Sequence, residues 1–422
     1  MKRFSLAAIL RHGLCGVSVF VVSAMLASCV LPPGVRQLST IQQLTNVANA
    51  LTPEATTVRR AEAPSGTALY TDSRALNLPG RAGSIDEAAR LLAGLPGSGS
   101  RNSLDHVRQT ATWMSHKAKL DDYWRDYQWR HEEPVRRWAA AKIPDIASAR
   151  AVFYPFSGPD VLFANAFFPQ ADTYILCGLE PAEPLPDISS LGNADLANGF
   201  DSLGTALSNI MQFSFFITKD MRTDLQSSRF RGVLPALLVF LARSGHTVDS
   251  VDLIRLQGDG TPVIVQGADG NGSGLMIRAR SPYGTLRRIF YIRQDLSDES
   301  LSANSPILNL VSQSGNPPAF LKSASYLMHE DYFSVIRNFL LTHSPAIVQD
   351  PSGVPYRHFL QAGWRLQLFG NYQRTLDLFG EKCQQPDLAQ AYRSGAHDAQ
   401  PIDFGIGYLY TPATTCLMVG RR

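Results

Sequence analysis

Residues 150–180 read RAVFYPFSGPDVLFANAFFPQADTYILCGLE. An apolar run, Ala151–Phe156, stops at Ser157-Gly158-Pro159-Asp160, a helical pattern follows over Val161–Phe168, and a second apolar run, Thr173–Leu179, closes at Glu180. Strand, tight turn, helix and strand in about 30 residues is the pattern of a βαβ unit, whose two strands lie parallel. A second unit of this kind occupies Phe320–Asp350, with a strand at Phe320–Leu327, a helix at Tyr332–Leu341 and a strand at Ala346–Gln349. Between the two units, Val248–Leu256, Thr261–Gln266, Gly274–Arg280 and Leu286–Arg293 read as strands joined by glycine-rich turns, an antiparallel insertion or extension. Trp364–Phe369, Phe404–Tyr410 and Thr415–Val419 read as closing strands. Leu203–Phe216 and the apolar run Gly232–Ala242 read as helices, the second too short to cross a membrane. The expected fold is therefore α/β, a three-layer arrangement around a mostly parallel sheet with an antiparallel extension.

The start of the chain reads differently. Lys2, Arg3 and Arg11 precede the apolar stretch Leu14–Ala27, the layout of an export signal over residues 1–28. Leu26-Ala27-Ser28-Cys29 resembles the lipobox of bacterial lipoproteins. That resemblance implies cleavage before Cys29, acylation of Cys29, and attachment to a membrane through the lipid. Cleavage by an ordinary signal peptidase, leaving a soluble protein, is the competing reading. Val30 stands where an aspartate in that family favours the inner membrane, so the resemblance places the protein at the outer membrane, facing the periplasm. Residues 29–83 carry Pro32-Pro33-Gly34, Thr52-Pro53, Pro64-Ser65-Gly66 and Pro79-Gly80 without a sustained apolar period, and read as a tether. A helical segment, 84–145, follows, opened by Ser84 and Glu87 at capping-box spacing. It holds Trp113, Trp124, Trp129 and Trp138, with Pro134 dividing it. Aromatic residues at helical spacing anchor an apolar face, so burial against the α/β domain, 146–422, is expected rather than a ligand platform.

Lysine and arginine total 39 against 36 aspartates and glutamates. Three of the basic residues and none of the acids lie in residues 1–28, so the chain after the signal is formally neutral. Such a balance offers no field to draw nucleic acid, and nucleic-acid binding is set aside. Beyond the signal and Cys29, three cysteines remain, Cys177, Cys383 and Cys416. Cys177 falls inside a strand and reads as a small buried side chain. Cys383 and Cys416 either pair in an oxidising compartment or remain buried thiols, and sequence leaves both open. Asp269-Gly270-Asn271-Gly272-Ser273-Gly274 imitates the start of a calcium loop, but its twelfth position is Arg280 instead of glutamate, so it reads as a hairpin turn.

The turn after the first strand carries a further resemblance. Gly158 in a tight turn, a helix starting there, and Glu180 at the end of the next strand resemble the nucleotide-binding half of Rossmann-like proteins, including class I methyltransferases. YPFSGPD followed by FFP and GLEP also resembles a group of uncharacterised bacterial proteins, from which no activity carries over. The Rossmann-like resemblance implies a sheet whose ligands sit at the strand C-terminal edge. The turn departs from the nucleotide pattern, since it has one glycine and Pro159 removes an amide where a phosphate needs one. No cofactor and no metal is expected. Ser157 and Asp160 also fit a capping box, Ser-x-x-Asp, in which both side chains serve the helix terminus.

Candidate catalytic residues are those at the strand ends: Asp160, Glu180, His329 and Asp331, with Asp350 at the end of the following strand. A histidine among carboxylates at one sheet edge has the groups for acid–base or hydrolytic work. Against this, no Gly-x-Ser-x-Gly, His-Glu-x-x-His or Walker pattern occurs. The first reading is an envelope lipoprotein acting as a non-catalytic binding or assembly protein, with a small molecule or envelope protein as partner. The second is an envelope hydrolase or transferase using those carboxylates and His329.

Overall fold

In the computed structural model, the residues described are 85–99, 101–215, 228–267, 270–324 and 326–422. The signal, Cys29, the tether and Ser84 lie outside them. Ten strands form one sheet: β1 (Ala151–Tyr154), β2 (Thr173–Gly178), β3 (Thr247–Leu256), β4 (Pro262–Ile264), β5 (Ser273–Arg280), β6 (Leu286–Arg293), β7 (Ala319–Leu321), β8 (Ala346–Gln349), β9 (Arg365–Gly370) and β10 (Cys416–Arg421). Their order is β4-β3-β5-β6-β2-β1-β7-β8-β10-β9. The helices used below are α1 (Ile85–Leu92), α2 (Ala111–Tyr127), α3 (Glu133–Lys142), α4 (Val161–Phe167), α5 (Asn193–Phe213), α6 (Leu234–Arg243), α7 (Pro306–Gln313) and α8 (Ser334–His343).

The parallel pairing of the first unit is present, with Ala151 opposite Thr173 and Tyr154 opposite Leu176. β7 and β8 of the second unit are parallel as well. The sheet as a whole is mixed, which corrects the expectation of a mostly parallel one. Its centre, β6-β2-β1-β7-β8, is parallel. Antiparallel strands flank it on both sides, β4-β3-β5 beyond β6 and β10-β9 beyond β8. The cause is topological: the chain between β2 and β6 adds three antiparallel strands, and β10 inserts in reverse between β8 and β9.

Central strands read as unbroken apolar runs because both of their faces are covered. Val152, Tyr154, Tyr174 and Leu176 point into one apolar cluster, shared with α1 to α6. Phe153, Ile175 and Cys177 alternate into a second cluster on the other face, shared with α7 and α8. Period-two alternation thus splits one strand between two cores. The outer edges offer little to pair with. β4 is three residues long and begins with Pro262, which has no amide to donate. On β9, the Gly370 amide donates to the Gln400 carbonyl at 2.7 Å.

The helical segment buries three of its four tryptophans. Trp113, Trp124 and Trp138 join the first cluster, whereas Trp129 is 71 % exposed. Pro134 does not divide the helix. A π-helical turn, Gln128–Glu132, lies directly before it, where a wider turn accommodates a residue that lacks an amide hydrogen. The Glu87 carboxylate is buried and accepts from the Ser98 amide, Asn102 and Arg108, and the other half of the expected capping box, Ser84, lies outside the described residues.

Three further expectations change. The connection in which residues 270–274 lie joins no hairpin, because β4 and β5 are not neighbours and both pair with β3, while Asp269 lies outside the described residues. Residues 404–410 form one isolated bridge, Ile406 with Leu409, in place of a strand. Cys177, Cys383 and Cys416 are all unbridged and buried.

Candidate functional site

Chain order reverses at one place in the parallel block. From β1 the chain steps outward to β2 and then β6, and it returns to the other side of β1 for β7 and β8. In open α/β sheets the crevice forms beyond the carboxyl ends of the strands at such a point. Here those ends are Tyr154 on β1 and Leu321 on β7, and the residues just past them fill the space.

Asp160 stands at the N-terminus of α4. Its Oδ1 accepts from the Phe163 amide at 3.0 Å, so it is the helix cap. Its Oδ2 lies 3.0 Å from Lys322 Nζ and accepts from the Tyr154 hydroxyl at 3.0 Å. Burial pushes the Asp160 carboxyl up, while Lys322 and the Phe163 amide pull the other way. Lys322 also donates to the Ser214 carbonyl and lies 4.3 Å above the Phe163 ring. Ser157 is not part of the cap. Its hydroxyl donates to the Cys177 carbonyl at 3.1 Å and accepts from the Cys177 amide at 3.0 Å, fastening the turn to β2. The expected Ser-x-x-Asp box is corrected accordingly: Asp160 caps alone, and Ser157 continues the β1–β2 pairing.

Glu180 folds back over this turn. Tyr291, on β6, donates its hydroxyl to Glu180 Oε2 at 3.0 Å and to the Glu180 carbonyl at 2.9 Å. The carboxylate is packed so closely that a Cβ at Gly178 would fall 2.4 Å from Oε2. Only glycine fits there. Asp350, at the end of β8, accepts from the Ser323 amide at 2.9 Å and from the amide and hydroxyl of Ser352. Burial raises its carboxyl too.

His329 is buried beside this cluster, its ring 5.2 Å from that of Tyr326. Neither ring nitrogen makes a hydrogen bond, although the Pro351 and Lys382 carbonyls face it and weakly favour its charged form. Desolvation dominates and lowers His329 to about 4, so the imidazole is neutral at ordinary pH. Asp331 is exposed at the start of the turn Asp331–Phe333 and does not join the others. The strand-end candidates thus divide. Asp160 and Asp350 share one buried cluster around Lys322, Glu180 is fastened over Gly158, His329 lies next to Tyr326 and the Pro351 carbonyl, and Asp331 faces solvent.

Lys322 was missed from sequence, although a signal existed. AFLKSAS places a lysine inside a run that reads as a buried strand, and a buried ammonium requires a counter-charge. Nothing in the sequence marks Ser214 as its neighbour. Among the described residues, no group of histidine, cysteine and carboxylate side chains is arranged to hold a metal ion. Compared with protein-family models, with curated proteins and with solved structures, the chain matches none.

Proposed function

We propose that this protein is a membrane-anchored lipoprotein of the cell envelope whose α/β domain is a non-catalytic binding or assembly scaffold of Rossmann-like, three-layer type. The anchor is acylated Cys29, and the location inferred from Val30 is the outer membrane, on its periplasmic side. Counted along the chain, the five parallel strands lie in the order 3-2-1-4-5, the order of the first five strands in dinucleotide-binding folds, which supports the scaffold type.

The observation that carries the non-catalytic reading is the occupancy of the turn after β1. Gly158, Asp160, Val161 and Phe163 donate their amides to Cys177, Ser157, Pro159 and the Asp160 carboxylate, and Pro159 has no amide. A phosphate or carboxylate needs free amides at that helix terminus. With Asp160 held by Lys322 and Glu180 by Tyr291, the carboxylates a nucleotide or an acid–base reaction would use serve the fold instead. One observation favours the hydrolase or transferase alternative: the Ser323 hydroxyl, whose amide bonds Asp350, and the buried His329 imidazole beside Tyr326 have no side-chain partner.

Two measurements test the reading. In cells fed labelled palmitate, the wild type carries label and Cys29→Ser does not; label on the variant removes the anchor. Melting of the purified protein is expected to be unchanged by millimolar NAD, ATP or S-adenosylmethionine. A ligand at a hundred times its dissociation constant adds about 2.7 kcal/mol, so a rise that disappears in Glu180→Ala would overturn the non-catalytic reading.

A further inference from the structure

The hairpin that joins β5 to β6 ends in five consecutive exposed residues, Pro282-Tyr283-Gly284-Thr285-Leu286. Tyr283 is 93 % exposed and Leu286 49 %. The tip is nevertheless tied down. The Ser281 amide donates to the Thr285 carbonyl, its carbonyl accepts from the Gly284 amide, and its hydroxyl accepts from the Tyr283 and Thr285 amides. The turn thus holds an aromatic ring out in water, and a ring with an apolar body and a polar end suits a boundary between water and an apolar phase. Charge follows the same hairpin. Residues 273–293 include five arginines and no acid. Asp252 answers Arg278 and Asp249 answers Arg280. Arg287 and Arg288, directly after the tip, bond only neutral oxygens among the described residues. Apolar side chains and an excess of positive charge therefore meet at one end of the hairpin.

The chain enters the domain beside this tip. Asp86, at the start of α1, accepts from the Val248 amide of β3 at 2.9 Å. Val248 lies opposite Ala279 on β5, next to Arg280, which pairs with Leu286 at the base of the turn. Residues 30–84, which lead from Cys29, therefore join the domain where the hairpin ends. We propose that the β5–β6 tip docks on the surface of the bilayer that holds the anchor. Tyr283 and Leu286 enter the interface, and the exposed Arg280 and Arg288 meet the phosphates of anionic phospholipids. The proposal rests on the lipid anchor inferred above and adds an orientation to it. Docked in this way, the parallel strands β6, β2 and β1 start near the lipid and end away from it, so the reversal point between β1 and β7 faces the compartment.

The test places the full-length lipoprotein in vesicles and reads which side chains touch lipid. Cys177, Cys383 and Cys416 are buried, so Thr285→Cys, at the exposed tip, accepts a fluorescent label specifically. Ala413→Cys, exposed beyond the carboxyl end of β8, is the control. The vesicles are phosphatidylcholine with or without phosphatidylglycerol, doped with lipid bearing a nitroxide headgroup, and flotation measures the bound protein. With phosphatidylglycerol present, the Thr285→Cys label is expected to be quenched and the Ala413→Cys label not. Arg288→Gln is expected to weaken docking about fivefold, the effect of one arginine at an anionic surface. Tyr283→Ser combined with Leu286→Ser should abolish it at an unchanged melting temperature, because both side chains are exposed. If the protein floats but its tip label is quenched no more than the control, or as strongly in the Tyr283→Ser, Leu286→Ser variant, docking is overturned and the anchor stands. Equal quenching in phosphatidylcholine alone overturns it too, since anionic headgroups are then not recognised. Protein that floats with neither vesicle removes the anchor, and the proposal with it.

Discussion

Lys322 Nζ and Asp160 Oδ2 lie 3.0 Å apart, with both side chains at most 2 % exposed. The pair ties the end of β7 to the start of α4, across the point where strand order reverses. A buried ion pair is weak evidence of net stabilisation, since desolvating two ions offsets their attraction. Losing one partner is a different matter. The survivor is a buried charge with nothing to balance it.

Lys322→Met is accordingly expected to lower stability by about 3–5 kcal/mol in urea unfolding. Asp160→Asn keeps the cap oxygen, leaves Lys322 unbalanced, and is expected to cost a similar amount. The double variant should regain part of the loss, because neither charge remains to be buried. A single variant within about 0.5 kcal/mol of wild type would show that the ion pair does not hold these elements together.

How much of this was legible depended on where the signal was local. β1, α4 and β2 follow from an apolar run, a turn and a helical period, and the sequence placed them within two residues. Register and edge order were not legible in the same way. Whether β10 pairs with β8 or β4 with β5 depends on contacts far apart in the chain, which periodicity does not encode. The site suffered most from this. Asp160 was visible as a cap, but its counter-ion comes 162 residues later, and Glu180 owes its position to Tyr291 on a strand that joins the sheet only after the antiparallel insertion.

Gly407 gives a second prediction. Its φ is 68°, and a Cβ there would lie 1.8 Å from Asp350 Oδ2. Alanine would meet both the left-handed backbone penalty of about 1–2 kcal/mol and an overpacking cost of about 1–3 kcal/mol. Gly407→Ala is therefore expected to destabilise by roughly 2–5 kcal/mol, more than Gly272→Ala, which has a similar φ and open space around it. Equal losses in the two variants would mean that the approach to Asp350 imposes nothing.

The thiols supply a third. Cys177, Cys383 and Cys416 are free, and burial pushes Cys383 up to about 11 and the other two higher. Thiolate is the reactive form, so a thiol-specific dye should leave all three unmodified in the folded protein and react with them in denaturant. Recovery of a linked Cys383–Cys416 peptide pair from envelope-derived protein would contradict this.

The last prediction concerns acid. His116, His131, His246 and His329 are buried, and desolvation lowers each to about 4 from an ordinary value of 6.5. A base with a depressed folded value binds its proton more readily when unfolded. The stability it contributes is present above pH 6.5 and is withdrawn as pH falls towards 4, by at most about 1.4 kcal/mol per pH unit for each residue. Asp86, Asp160, Asp252 and Asp350 oppose this, because their raised carboxyls favour the protonated folded state and restore stability as pH falls. The histidines begin to gain protons in the unfolded chain at 6.5, well above the 3.8 at which those four carboxyls start, so the window between pH 6.5 and 5 is where the histidine effect is read. Urea midpoints should fall steadily through that window, and replacing one buried histidine, His116→Gln, should flatten the slope. NMR provides the direct check: the imidazole signals of these four should stay in their neutral positions at pH 5. A normal titration of His329 near pH 6.5 would show that its ring is hydrated and not desolvated by the fold.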